Sequence, residues 1–231
     1  NTYFSNWAVS QCASNMNGAK LHRANMNGVI MSMVLANDVD FSSAIMTNAD
    51  LGNAKLQFST FQDADLTNAY FWNANLNQAN FDWAILENCN MPQTNAKDAT
   101  FRYADLTNAR LLGTTGVNAS FEHAIMTGVI ISGDLQGASF SNVFAPDSSF
   151  SMSILVGADF SQAYLHNSRF VNNNLSYANF WRADLTSAHM TSNYDVGNPS
   201  LQWTMFENAT FSYATLRGAD LIGNFKNSDF S

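Results

Sequence analysis

Charge is the scarcest property of this chain. Lys, Arg, Asp and Glu make up 12% of its 231 residues, ten basic against eighteen acidic, for a net charge of −8. Phosphate recognition needs clustered Lys and Arg, so a nucleic-acid-binding role is excluded. No apolar run approaches the roughly 20 residues that a membrane-spanning helix requires. A Gly-rich phosphate loop, a nucleophile elbow and a Cys–His pairing are all missing. The four histidines (His22, His123, His166, His189) are scattered, with no second ligand at metal spacing. No catalytic centre, metal or cofactor is therefore expected.

What the chain does have is a period of five. Every fifth residue from Ala19 to Val129 is small, with Ala at fifteen of 23 positions and Val, Ser, Cys or Thr at the rest. Two residues after each lies a second series, and twenty of its 23 positions hold Leu, Met, Phe or Ile. Its exceptions are Ala36, Ala96 and Gly116. Five matches neither the helical period of about 3.6 nor the strand period of about 2, so it marks a repeat architecture.

Written out, the unit is Ala-Asp/Asn-Leu/Phe-x-x, as in Ala49-Asp50-Leu51, Ala64-Asp65-Leu66, Ala104-Asp105-Leu106, Ala158-Asp159-Phe160, Ala178-Asn179-Phe180 and Ala219-Asp220-Leu221. This pattern resembles the pentapeptide-repeat family over roughly residues 14 to 230. The resemblance implies an all-β fold, a right-handed quadrilateral β-helix in which five residues form one side and twenty form a coil. About eleven coils would then stack at the sheet spacing of about 4.8 Å into a rod of roughly 50 Å. We expect residues 1–15 to form an N-terminal cap segment, with Tyr3, Phe4 and Trp7 as its plug, and residues 16–231 to form the solenoid. The last coil is expected to be frayed or covered by a partner, since exposed strand edges invite pairing.

A twenty-residue reading sorts the large residues by side. One side runs Leu21, Phe41, Phe61, Phe81, Phe101, Phe121, Phe140, Phe160, Phe180, then Leu201 and Leu221. The next ends with Leu165, Leu185 and Phe206. The register is expected to change in two places only. One residue is lost between Gly128 and Gly133, and one is gained between Thr191 and Ser200, where Gly197, Asn198 and Pro199 form turns. Asn48, Asn68, Asn88, Asn108 and Gly128 recur at a slot that suits a corner, because Asn and Gly tolerate left-handed backbone.

Cys12 and Cys89 would lie about four coils, or 18 Å, apart, beyond the reach of a disulfide. Cys89 holds an inward small slot and should be a buried thiol. Repeated Asp residues (Asp50, Asp65, Asp105, Asp159, Asp184, Asp220) occupy the motif slot, where a structural hydrogen-bonding role is expected. Asn118, Asn174 and Asn208 open Asn-x-Ser/Thr sequons.

The outward slots carry the functional signal. Trp83, Tyr103 and Trp203 are expected at one corner, with Trp181 one residue earlier in its coil. Tyr70 and Trp72 flank Phe71, and Ile45, Ile85 and Ile125 alternate with Asp65 and Asp105. Phe58, Phe144, Tyr164 and Tyr177 also point outward. Contiguous apolar surface and aromatic anchors mark protein interfaces. The expected function is a non-catalytic protein–protein interaction scaffold, or a structural subunit of a larger assembly, docking through Tyr70, Trp72, Trp83, Tyr103, Trp181 and Trp203.

Two alternatives come with the resemblance or the surface. The fluoroquinolone-resistance branch of the family consists of acidic rods that mimic duplex DNA and bind type II topoisomerase. Here Lys20, Lys55, Lys97, Arg102, Arg110, Arg169, Arg182 and Arg217 dilute the anionic field such a mimic needs. Ice binding through the outward ladder of Thr47, Thr67, Thr107 and Thr127 is the minor alternative, interrupted at Glu87 and Pro146. The chain begins with Asn1 rather than Met and has little Lys, which tilts the reading toward an exported or organelle-lumenal (thylakoid-type) mature protein.

Overall fold

Each five-residue unit closes on its own turn. In the computed structural model, which describes residues 15–191 and 204–231, the Ala69 amide donates to the Leu66 carbonyl at 2.9 Å. Asn68, between them, sits at φ 57–59° like its equivalent Asn48. That left-handed geometry is the corner, and Asn, Asp and Gly occupy many such positions along the chain, as their low cost there dictates. The backbone groups left over pair with the coils above and below. Asp65, for example, donates to the Ala44 carbonyl at 2.9 Å, and its own carbonyl accepts from Met46 at 2.7 Å.

Repeating this unit gives a right-handed quadrilateral β-helix. Parallel bridges join residues twenty apart from Asn15↔Leu35 up to Asp105↔Ile125. Where pairing extends beyond single bridges, it forms β1 (Arg110–Thr115), β2 (Ile130–Asp134), β3 (Ser153–Ile154), β4 (His189–Met190) and β5 (Asp220–Leu221). These pair in parallel as β1-β2-β3 and β4-β5. Residues 1–14, including Tyr3, Phe4, Trp7 and Cys12, lie outside the described residues, while Asn15 already bridges the second coil.

Among the described residues from Ala24 to Phe211 both inward series are buried, and the phenylalanine side forms one column. From Phe41 to Phe180 successive rings stack 4.7–5.0 Å apart and within 11° of parallel. A second set, Phe71, Phe150 and Phe170, meets the column edge-on. Cys89 lies in this core. Its thiol donates to the Leu66 carbonyl at 3.0 Å, and burial pushes its pKa up to about 12.

The expected loss of one residue falls between Ile131 and Gly133. Leu111 pairs with Ile131 at a step of twenty, and Thr114 pairs with Gly133 at nineteen. The second expectation is corrected. Phe180 stacks on Phe211, not beneath Leu201, and Asn174, Asn179 and Asp184 bridge Met205, Thr210 and Thr215. The step is thirty-one, so eleven residues are added rather than one. Leu201 lies outside the described residues. Leu221 pairs with Met190 on another side, and Phe206 follows Met205 above Leu175 rather than Leu185.

A third register change was not expected. Met205↔Asn224 and Thr210↔Asp229 step by nineteen. All three irregularities fall at the same corner of the square, and both shortenings carry a glycine pressed against the coil below. A Cβ on Gly133 would lie 2.2 Å from the Thr114 carbonyl oxygen, and one on Gly223 would lie 2.3 Å from that of Thr204. A shortened corner leaves no room for any other residue.

Above Val34, Ala54 and Ala74, the inward slots at this corner turn polar: Thr94, Thr114, Ser153, Asn173 and Thr204 are all buried. They bond to backbone that the irregular corner frees. Thr94 donates to the Met91 carbonyl at 3.0 Å, Asn173 accepts from the Ser153 amide at 2.7 Å, and Thr204 donates to the Thr191 carbonyl at 2.7 Å.

Fraying is not what the last turn shows. Phe225 stacks on Phe206 at 4.4 Å and Phe230 on Phe211 at 4.8 Å.

Candidate functional site

Left-handed corners aim their side chains away from the tube, and three successive ones carry rings. Trp83 (φ 65°), Tyr103 (φ 60°) and His123 (φ 59°) occupy equivalent positions. Trp83 and Tyr103 stack at 4.3 Å and 6°, and Tyr103 and His123 at 4.8 Å and 2°. The coil spacing sets this separation, so the fold pays the ordering entropy of the stack. Because the ring faces cover one another, the stack shows its edges to solvent. His123 is a member that sequence reasoning missed; its place twenty residues after Tyr103 was the available signal.

Beside this corner runs a second row, bridged residue to residue: Ile45, Asp65, Ile85, Asp105, Ile125, Phe144 and Tyr164. Trp83 is 55% exposed, Ile85 42%, Ile125 43% and Phe144 48%. Phe144 and Tyr164 stack at 5.0 Å. The corner stack and the row therefore make one apolar face along the rod, two columns wide.

The carboxylates within the row are fixed from below. Asp65 and Asp105 each accept, through Oδ1, from the Thr67 and Thr107 amides at 3.1 and 2.9 Å and from the Thr hydroxyls at 2.7 and 2.6 Å. Asp50, Asp159 and Asp184 make the same bond to the amide two residues on. The structural role expected of the motif Asp is thus present at these five, whereas Asp220 bonds to His189 instead; at Asp65 and Asp105 these bonds use Oδ1 and not Oδ2.

Around the face, acid outnumbers base. Over the coils from Phe61 to Asn167, this side, its two corners and the phenylalanine side hold Asp63, Asp65, Asp82, Glu87, Asp105, Glu122, Asp147 and Asp159 against one cation, Arg102. Arg102 is spent on Asp82, which accepts from its Nε at 2.9 Å and from its backbone amide at 3.0 Å.

Tyr70, Trp72 and Trp181 do not join this face. Tyr70 and Trp72 flank Phe71 on the side opposite the main phenylalanine column. The Trp72 indole N–H donates to Gln93 there at 3.2 Å. Trp181 is half-buried on the phenylalanine side, beneath the Arg182 guanidinium at 4.5 Å. Trp203 lies outside the described residues, and Tyr213 holds the corner slot above Arg182. Of the five described, only Trp83 and Tyr103 join this face. Among the described residues no group of His, Cys, Asp or Glu could hold a metal ion. No helix there is long and apolar enough to cross a membrane.

A family model described as pentapeptide repeats matches this chain in eight copies, over residues 37–73, 64–102, 74–113, 97–133 and 153–191. Among solved structures the chain is similar to HetL, a pentapeptide repeat protein involved in heterocyst differentiation regulation in the cyanobacterium Nostoc sp. strain PCC 7120. Identity is 20% over 99% of this chain and 86% of that one, with a TM-score of 0.39. It is similar to QnrB1, a plasmid-mediated fluoroquinolone resistance protein, at 17% identity over 96% and 92%, with a TM-score of 0.36. A pentapeptide repeat protein of the Arabidopsis thaliana thylakoid lumen matches at 24% identity over 57% and 68%, with a TM-score of 0.18. No curated protein matches the sequence.

Proposed function

The chain belongs to the pentapeptide-repeat family, and from that premise we propose that it is a non-catalytic docking rod, an interaction scaffold or structural subunit that binds a protein partner. The exposed face carries this reading: Trp83, Tyr103, Ile85, Ile125, Phe144 and Tyr164 form one strip of large apolar groups on a rigid support. Preordered aromatics lose little conformational freedom on binding and so make good anchors. The test is Trp83→Glu with Tyr103→Glu, neither of which touches the core. Association with co-purifying protein should be abolished while the thermal midpoint stays near that of the wild type. Unchanged association would remove this face as the site.

The alternative, an acidic mimic of duplex DNA acting on type II topoisomerase, draws support from the net charge of −8. Against it stand the apolar residues that alternate with Asp65 and Asp105, and the Arg102–Asp82 pair. A mimic would tolerate the double Glu variant and lose its effect on supercoiling when acidic residues are neutralised.

A further inference from the structure

The docking face has a spacing and a charge that together select one kind of occupant. Its central row alternates apolar and acidic groups, Ile45-Asp65-Ile85-Asp105-Ile125, one per coil. Neighbours are therefore about 5 Å apart, and like groups about 10 Å apart. An α-helix advances about 5.4 Å per turn, and residues i and i+7 on one face lie about 10.5 Å apart. A helix laid along the rod thus places one turn on each coil, with a mismatch of about 0.6 Å per turn. An extended strand does not fit. Its same-face residues recur at about 6.8 Å, which matches neither spacing.

Charge decides between a helix from a partner and a second copy of this chain. The face and its flanks hold eight carboxylates, and the one cation among them is bonded to Asp82. A second copy would bring an equally acidic face against this one, and like charges opposed across an interface select against that pairing. An acidic polymer is disfavoured on the same ground. Building on the docking reading above, we propose that this face binds a basic amphipathic helix lying parallel to the rod axis. Lys or Arg at i and i+7 meets the Oδ2 atoms of Asp65 and Asp105. Apolar residues half a heptad away pack on Ile85 and Ile125. The Trp83–Tyr103–His123 stack forms the wall along one flank, and Glu87 stands on the other to receive a further cation.

The probe is a labelled helical peptide of about 21 residues, three heptads long, with Lys at i and i+7, Leu half a heptad from each, and Leu at i+14 to meet Phe144. Fluorescence anisotropy measures its binding to the full chain. Two controls have the same composition and helicity, one with the Lys and Leu phases scrambled and one with Glu for Lys. We expect the phased peptide to bind and both controls to fail. Asp65→Asn with Asp105→Asn should weaken it about tenfold or more. Asn keeps the Oδ1 acceptor for Thr67 and Thr107, so the fold should stand, as the thermal midpoint will show. Asp98→Asn with Asp134→Asn, on another side, should change nothing.

Equal binding of the scrambled peptide, or full affinity in the Asp65/Asp105 variant, would overturn the helix assignment. So would sedimentation as a dimer that Ile85→Glu dissociates, because a second copy would then occupy the face. If the peptide fails while Trp83→Glu with Tyr103→Glu still abolishes partner association, the helix inference falls alone and the docking reading stands.

Discussion

Phe180 stacks on Phe211 at 4.9 Å with their planes 4° apart, although they lie thirty-one positions apart in the sequence. Every lower step in that column is twenty residues, or nineteen at the one shortened turn. Thr191 and Thr204 mark where the chain leaves the coil and where it rejoins, and their hydroxyl–carbonyl bond of 2.7 Å brings the two ends together.

Removing eleven residues between Thr191 and Thr204, and leaving one Asn to take the corner, should therefore preserve the fold. Shortening a connection whose ends already meet relieves closure entropy. The thermal midpoint should hold or rise. Loss of cooperative unfolding would show that the added residues support the coil.

The ring column should tolerate little. Phe81 is sandwiched between Phe61 at 4.7 Å and Phe101 at 4.9 Å and is fully buried. Phe81→Ala should cost about 3–5 kcal/mol, read as a lower urea midpoint with an unchanged slope.

Two glycines should behave in opposite ways. Gly157 has φ +68° and nothing within 4 Å of a built Cβ, and equivalent corners hold Asn, so Gly157→Asn should be within about 0.5 kcal/mol of neutral. Gly133, at φ +126° and against the Thr114 carbonyl, should lose at least about 3 kcal/mol as Gly133→Ala. Equilibrium unfolding of the two variants gives the comparison.

Cys89 should be inert in the native state. Burial lifts its thiol from 9.0 to about 12, so at pH 8 a Cys12→Ser variant should react with a thiol reagent only as fast as the chain unfolds. The sign of the linkage is fixed. The unfolded thiol ionises near pH 9 while the folded one stays protonated, so this residue's contribution to stability is full below pH 9 and is lost as pH rises toward 12.

Thermal hysteresis should be absent. Thr67, Thr107 and Thr186 donate their hydroxyl hydrogens to Asp65, Asp105 and Asp184 at 2.6–2.7 Å, which leaves the Thr ladder poorly disposed to order ice. Freezing-point measurement at millimolar protein checks this, and a measurable gap would revive the ice-binding alternative.

Sequence alone determined which residues face inward, where the corners lie and that Cys89 is buried. Those properties are local. A large residue, two outward ones, a small residue and a third outward one satisfy the same physics at every unit, and Asn or Gly reveals the left-handed corner. The side of the square on which a unit falls is not local. All four sides ask for the same large and small pair, so adding ten residues leaves the inward phase unchanged. Thus only one residue of the eleven added before Thr204 was legible in the sequence. The single surplus residue shifts the phase, whereas two whole repeats do not. Local phase alone assigns Trp203 to the corner slot of Trp83 and Tyr103, and that residue lies outside the described residues; nothing local shows Arg182 lying over Trp181. Tertiary structure decided the rest. Coil-to-coil hydrogen bonds and stacked rings select one register among those the five-residue phase allows, and that register sets Trp83, Tyr103 and His123 beside the Ile85–Ile125 row.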